Sequence, residues 1–181
     1  CSIGRRWEGI HQALLPAARR GELFYYYDTF PGADAEPYDH RQHRDFMASV
    51  LKRSHFFMVA QGKMDDPSIK GQVEIGYRYY EGAAAGTVMI GQAPNTEVFK
   101  EMFPWPDIVI PVRANGSDIL DVLAALASQP ERLATISRRN AAEALLRHDW
   151  VYRWKEIFRV AGIEPSPRME AREHRLKNLA A

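Results

Sequence analysis

The sequence contains almost no cysteine, no excess of charge of either sign and no long hydrophobic run. Cys1 is the only cysteine, so no disulfide bond forms within the chain, and a reducing, cytoplasmic location is expected. No apolar run approaches the roughly 20 residues that span a bilayer, and no signal-peptide pattern is present. Lys and Arg number 24 and Asp and Glu number 23, so the net charge of +1 gives no reason to expect nucleic acid as a partner.

Several motifs that mark enzyme classes are also missing. The sequence has no P-loop, no GxGxxG and no Ser-His-Asp order. His40 and His43, with Asp39 and Asp45 beside them, lack the fourth well-spaced ligand of a structural zinc site. We therefore expect no metal and no organic cofactor.

Apolar periodicity and turn residues predict alternating strands and helices along the chain. The predicted strands are residues 1–4, 23–27, 56–60, 87–90 and 108–110, the last stopped by Pro111. The predicted loops are residues 29–42 and 61–71. Helices are predicted at residues 7–19, around Phe46–Leu51, at 82–85, from Ser117, from a capping box at Ser128–Glu131, across Trp150–Phe158 to Gly162, and from Ser166 onward.

This alternation predicts a Rossmann-like, doubly wound parallel sheet with helices on both faces and a helical C-terminal tail. We place the domain at residues 1–162 and the tail at residues 163–181. Ligands of such open sheets bind beyond the carboxyl ends of the strands. The loops after the strands at Ile3, Tyr27 and Ala60 are therefore expected to line the site.

Residues 71–91 are the most informative stretch, because Glu74 and Glu81 there bracket a short run of aromatic and polar residues, and a helix of small residues follows. Glu81 precedes Gly82 and three alanines, and a carboxylate at such a helix start can accept hydrogen bonds from both hydroxyls of a ribose. The small residues allow a ligand or a backbone to approach closely. The alternatives are an exposed helix glutamate or an i,i+3 pair with Arg78.

Basic residues occur where strands are predicted to end. Gly4-Arg5-Arg6 lies between a predicted strand and a predicted helix, where a guanidinium can bind a diphosphate beside helix amides. The alternative is a solvated basic pair at a helix start. Lys63 follows Gly62 after another predicted strand and can close over phosphate, although a single Gly-Lys is most often an ordinary loop.

Together these residues resemble the C-terminal, nucleotide-sugar-binding half of a GT-B-fold glycosyltransferase of the group 1, CgeB-like class. Gly4-Arg5 is similar to the Gly-Arg that begins this half, and residues 78–87 are similar to its Arg-x-x-Glu-x-x-x-x-Gly signature. Residues 140–158 resemble the terminal helix region that follows. The resemblance implies a hexosyltransferase-type enzyme in which Glu81 binds ribose, Arg5 binds the diphosphate and Glu74 lies near the donor sugar as the catalytic candidate.

The match departs from the family pattern in two places. Glu74 and Glu81 enclose six residues, one fewer than in the retaining pattern, so retention and inversion both stay open. The lysine that follows the Gly-Arg in the family is absent, and Arg6, Lys63 or Arg78 is left to supply a second positive charge.

The resemblance also implies a missing partner domain. The chain begins on strand-like residues at Cys1 without a methionine, which predicts a fragment of a longer protein whose N-terminal domain holds the acceptor. Without that domain we expect weak donor binding and no turnover. Trp150, Trp154 and Phe158 are predicted to be core residues, although part of this face or the segment 167–179 is expected to pack on the missing domain and to promote self-association of the fragment.

Two other classes of function stay open. One is a nucleotide-binding or assembly module of the same fold that has lost transfer activity. The other is a doubly wound signalling domain, which requires acidic residues at several strand ends, whereas Asp28 is the only one in the first half of the chain.

Overall fold

The computed structural model describes residues 1–4, 7–27, 39–61 and 73–181, which form a mixed α/β fold. The strands are β1 (Phe56–Val59), β2 (Val88–Gly91) and β3 (Ile110–Pro111). The helices are α1 (Glu8–Arg19), α2 (His40–Arg53), α3 (Arg78–Ala85), α4 (Glu97–Met102), α5 (Ile119–Ala127), α6 (Pro130–Arg147), α7 (Trp150–Ala161) and α8 (Pro167–Ala180).

The three strands form an open parallel sheet in the order β1-β2-β3. Two extended segments widen it beyond β1. Cys1 donates to the carbonyl of Phe56 at 2.6 Å and accepts from the amide of Met58 at 2.8 Å, which is the bonding pattern of a parallel pair. On its other side, the amide of Ser2 donates to Tyr26 at 2.9 Å, and Ser2 forms a parallel bridge with Tyr27. The predicted parallel, Rossmann-like sheet is confirmed.

Side chains on the two faces of the sheet pack into separate cores, because neighbouring strand residues point in opposite directions. Phe57 and Met89 belong to the core beneath α2, α3 and α4, whereas Met58 and Ile90 belong to the core beneath α1 and α5. α6 contributes Ala144 to the first core and other residues to the second. The prediction of helices on both faces is therefore correct.

Local sequence explains where several helices begin and end. The carboxylate of Asp39 accepts from the amides of Arg41 and Gln42 and caps the start of α2. Gly86 and Gly162, with φ of 68° and 67°, end α3 and α7 in the left-handed conformation that glycine adopts without strain.

Four predictions of secondary structure are wrong in detail. Residues 1–4 and 23–27 are not regular strands, and the two ranges share one isolated parallel bridge, between Ser2 and Tyr27. The loop predicted to reach residue 42 ends earlier, because α2 begins at His40. β3 includes Pro111, which is tolerated because β3 is the edge strand of the described sheet. Ser128 ends α5 and donates to the carbonyl of Ala125, so the predicted capping box does not form.

The C-terminal helix α8 packs on α6 and α7. Arg172 of α8 donates to Asp149 at 2.9 Å, Lys155 pairs with Glu173, and Leu176 is buried. The outer face of α7 is uncovered in this chain: Trp150 is 70% exposed and Trp154 51%. The prediction that these two tryptophans are core residues is wrong.

No helix within the described ranges combines the length and apolarity needed to cross a membrane.

Candidate functional site at the carboxyl edge of the sheet

The first turn of α3 lies at the carboxyl edge of the sheet, beside the ends of two parallel segments. The hydroxyl of Tyr79 donates a 2.6 Å hydrogen bond to the carbonyl of Gln92, the residue that follows β2. Tyr79 is fully buried, and burial raises the pKa of its hydroxyl, so the group stays protonated as a donor. This contact fixes the helix start at the edge where open parallel sheets bind ligands.

Arg78 and Glu81 form the charged centre of this edge. Nη1 of Arg78 lies 2.5 Å from Oε2 of Glu81, and the two side chains are 25% and 33% exposed. Nη1 also lies 3.4 Å from the sulfur of Met47 in α2. The i,i+3 pair that the sequence left as an alternative is therefore present, half-buried and not fully solvated.

Gly4 brings the first loop of the chain to the same pair. Its φ is 88°, and a Cβ at this position would lie 2.8 Å from Nη2 of Arg78. A side chain at residue 4 would therefore overlap the guanidinium. Arg78 is therefore a neighbour of both Gly4 and Glu81, and the role of this group in donor binding stays a prediction.

Gly82 has a different contact from the one that the sequence suggested. It is buried, and a Cβ there would lie 2.6 Å from the sulfur of Met89 and 3.1 Å from a ring carbon of Phe57. The close approach that Gly82 allows is between α3 and the sheet. A role of Gly82 in donor binding stays a prediction.

Four other predicted site residues lie outside the charged centre as the structure describes it. Arg5, Arg6 and Lys63 lie outside the described residues. Glu74 lies before α3 with an exposed side chain, and its catalytic role stays a prediction.

Sequence reasoning missed the loop that follows β3. A Cβ at Gly9 would lie 2.6 Å from the carbonyl of Ala114, and one at Gly116 would lie 2.6 Å from the carbonyl of Gly9. This backbone packing brings Arg113 and Asn115, both exposed, next to the first turn of α1. The Asn-Gly turn at residues 115–116 was the available signal in the sequence.

A partly buried histidine near α3 was also missed. His148 lies between the rings of Tyr80 and Phe103, with centroids 4.9 Å and 4.8 Å away. Burial, with a smaller effect of the Arg153 charge, lowers the pKa of His148 to about 4. The neutral imidazole packs as an aromatic residue and supports the helix region after α6.

The opposite, amino edge of the sheet holds a groove of about 490 Å³. Its described lining is mainly apolar, including Leu23, Phe24 and Leu123, and its charged members are Glu22 and Asp121. Because this lining contains two acids and no described cation, the groove does not suit a diphosphate.

Within the ranges that the structure describes, no group of three or more His, Cys, Asp or Glu side chains is placed to hold a metal ion. Whether binding at the carboxyl edge is independent of metal stays a prediction.

Comparison with known protein families assigns the chain to a family. A family model described as glycosyl transferase-like matches residues 5–159, which is most of the chain. The chain belongs to the glycosyl transferase-like family. No curated protein and no solved structure matches it significantly. The matched range covers α3 with Arg78 and Glu81, so this glycosyl transferase-like domain includes the charged centre at the carboxyl edge.

Proposed function

We propose that this glycosyl transferase-like domain binds a nucleotide-diphosphate sugar at the carboxyl edge of its sheet. The observation that carries the proposal is the half-buried Glu81 carboxylate, paired with Arg78 beside the backbone of Gly4. A carboxylate for hydroxyl groups and a guanidinium for phosphate are the two chemistries that such a donor requires.

Glu81 is the proposed ribose ligand. A carboxylate has two oxygens and about four acceptor positions. Arg78 engages Oε2, so the group retains acceptor positions for a pair of vicinal hydroxyls. Its partial burial strengthens these hydrogen bonds relative to those of a fully solvated glutamate.

The diphosphate is proposed to lie along the Gly4 loop and the start of α1. Arg5 is the first candidate cation, with Arg6, Lys63 or Arg78 as the second. Trp7, the residue before α1, makes no side-chain capping hydrogen bond, and the first amides of that helix are proposed to contribute to anion binding. With cations in this role, binding requires no divalent metal.

Transfer requires an acceptor, and the resemblance to the C-terminal half of GT-B enzymes assigns the acceptor to a separate N-terminal domain. Glu74 is proposed to lie near the donor sugar. Because positioning of both substrates supplies much of the rate, this domain alone is proposed to bind donor without turnover.

The test is a calorimetric titration of the wild type, Glu81→Gln and Glu81→Ala with UDP, GDP, ADP and CDP. We expect at least one diphosphate to bind, and both variants to lose roughly 1.5–3 kcal/mol, since hydrogen bonds to charged groups lie in that range. Glu156→Gln is the matched control, because Glu156 also pairs with an arginine three residues away, in an exposed ion pair on α7.

Unchanged affinity in both Glu81 variants would contradict the ribose assignment. Repeating the wild-type titration with EDTA tests the metal-free proposal, which loss of binding would overturn.

A further inference from the structure

We propose that Arg78 is a positioning residue that couples the Gly4 loop to the Glu81 carboxylate, so that diphosphate and ribose are bound cooperatively. This inference rests on the proposed donor site. In this role Arg78 does not only donate to phosphate. Its guanidinium also holds the Gly4 backbone and the Glu81 carboxylate in one arrangement.

The first observation is the contact between Arg78 and the Gly4 backbone. Nη2 lies 2.8 Å from the position that a Cβ of residue 4 would take, so the guanidinium fills the side-chain space of the glycine. Gly4 has a φ of 88°, a conformation that a glycine can leave easily when nothing holds it. Arg78 therefore restricts the backbone at Gly4.

The second observation is how the other side of the guanidinium is held. Nη1 contacts both Oε2 of Glu81 at 2.5 Å and the sulfur of Met47 at 3.4 Å, and Met47 is buried in the core. The planar, forked guanidinium thus touches the first loop, α2 and α3 at once. A lysine at this position has the charge but lacks the fork needed for these contacts.

These contacts predict that diphosphate binding and ribose binding both depend on Arg78. If Arg78 is lost, the Glu81 carboxylate loses the partner that fixes its orientation, and the Gly4 loop loses the group against which it rests. Removal of Arg78 should therefore weaken diphosphate binding and also reduce the preference for ribose over 2′-deoxyribose. A guanidinium that only contacts phosphate would lower affinity for both sugars equally.

The experiment is a double-mutant cycle with Arg78→Met, Glu81→Gln and the double variant, titrated with the tightest-binding nucleoside diphosphate and its 2′-deoxy counterpart. We expect each single variant to lower the preference for ribose about 5-fold or more. The ribose preference of the double variant should be only slightly lower than that of either single variant, because the effects of mutations within one network are not additive. Arg159→Met is the control, since it removes a comparable i,i+3 partner on α7. Additive losses, or an unchanged ribose preference in Arg78→Met, would overturn the coupling.

A second arm requires no ligand. Gly4→Ala is compared by thermal unfolding in the wild-type and Arg78→Ala backgrounds. The strain of the positive φ at residue 4 is the same in both backgrounds. The overlap of the new Cβ with Nη2 of Arg78 exists only in the wild-type background. A smaller stability loss in the Arg78→Ala background supports the contact, and an equal loss overturns it.

The two proposals fail in different ways. If both Glu81→Gln and Glu81→Ala leave nucleotide affinity unchanged, the ribose assignment of the proposed function is wrong, and the coupling falls with it. If Glu81→Gln weakens binding while Arg78→Met is additive with it, the proposed function stands and only the coupling is wrong.

Discussion

The indole N–H of Trp105 donates a 2.8 Å hydrogen bond to the side-chain oxygen of Asn140, and both residues are buried. The amide nitrogen of Asn140 donates in turn to the carbonyl of Thr87 at 3.0 Å. One fully buried side chain therefore joins α6, the residue that precedes β2 and the segment between α4 and β3.

Replacing this asparagine should destabilise the domain strongly. Asn140→Ala leaves the Trp105 and Thr87 groups buried without their partner, and we expect a loss of about 2–4 kcal/mol in the free energy of unfolding. Urea denaturation measures it, with the exposed Asn178→Ala as the control. A loss below about 0.5 kcal/mol, the range of ordinary surface changes, would show that the buried bridge does not matter.

A methyl group on Gly82 should separate α3 from the sheet. The new Cβ would overlap the side chain of Met89 and press on Phe57, so we expect Gly82→Ala to cost about 1–3 kcal/mol of stability. Gly76→Ala is the matched control, because a Cβ there would meet no atom within 4 Å among the described residues other than its chain neighbours. Equal melting temperatures for the two variants would contradict the close packing.

Acid should destabilise the helix region around His148. The pKa in the folded protein is about 4, below the ordinary value of 6.5, so unfolding takes up a proton between these values. The stabilisation is complete above pH 6.5 and is lost as the pH falls toward 4, by on the order of 2 kcal/mol. His148→Phe should flatten this part of the stability curve.

The exposed His174→Gln should leave the same curve unchanged. Identical pH dependence of the wild type and His148→Phe would contradict the assigned protonation state.

The exposed tryptophans of α7 allow stability and association to be separated. Replacing Trp150 and Trp154 by serine should change the free energy of unfolding by less than about 1 kcal/mol, because both side chains are already largely solvated. If this face drives self-association of the domain, sedimentation should shift toward the monomer in the variant but not in the exposed control Val98→Ser. A wild type that is monomeric at all concentrations would refute the association.

The centre of the fold could be predicted from the sequence because its signals are local. β1 and β2 are runs of apolar residues bounded by polar or turn residues. The predicted ends of both strands lie within one residue of the observed ends. The six-residue helix α4 was missed, since it is too short to show a period, although Thr96 caps it by accepting from the amide of Phe99. Which helix faces are solvated depends on tertiary packing, so the exposure of Trp150 was predicted wrongly.

The charged centre could be predicted only in part for the same reason. The spacing of Arg78 and Glu81 places them on one helix face, and the pair was foreseen as an alternative. The contact of Arg78 with Gly4 joins distant parts of the chain, and no spacing rule reports it. The packing of Gly9 against the loop after β3 is likewise a backbone contact that carries no side-chain signal.

The most direct test of the account is amide hydrogen exchange of the domain with and without a saturating nucleoside diphosphate. The account predicts slower exchange at the carboxyl edge, in the peptides covering Gly4 and residues 76–81, with no change at the amino edge around Phe24 and His55. Protection confined to the amino-edge groove would contradict a donor site at Arg78 and Glu81.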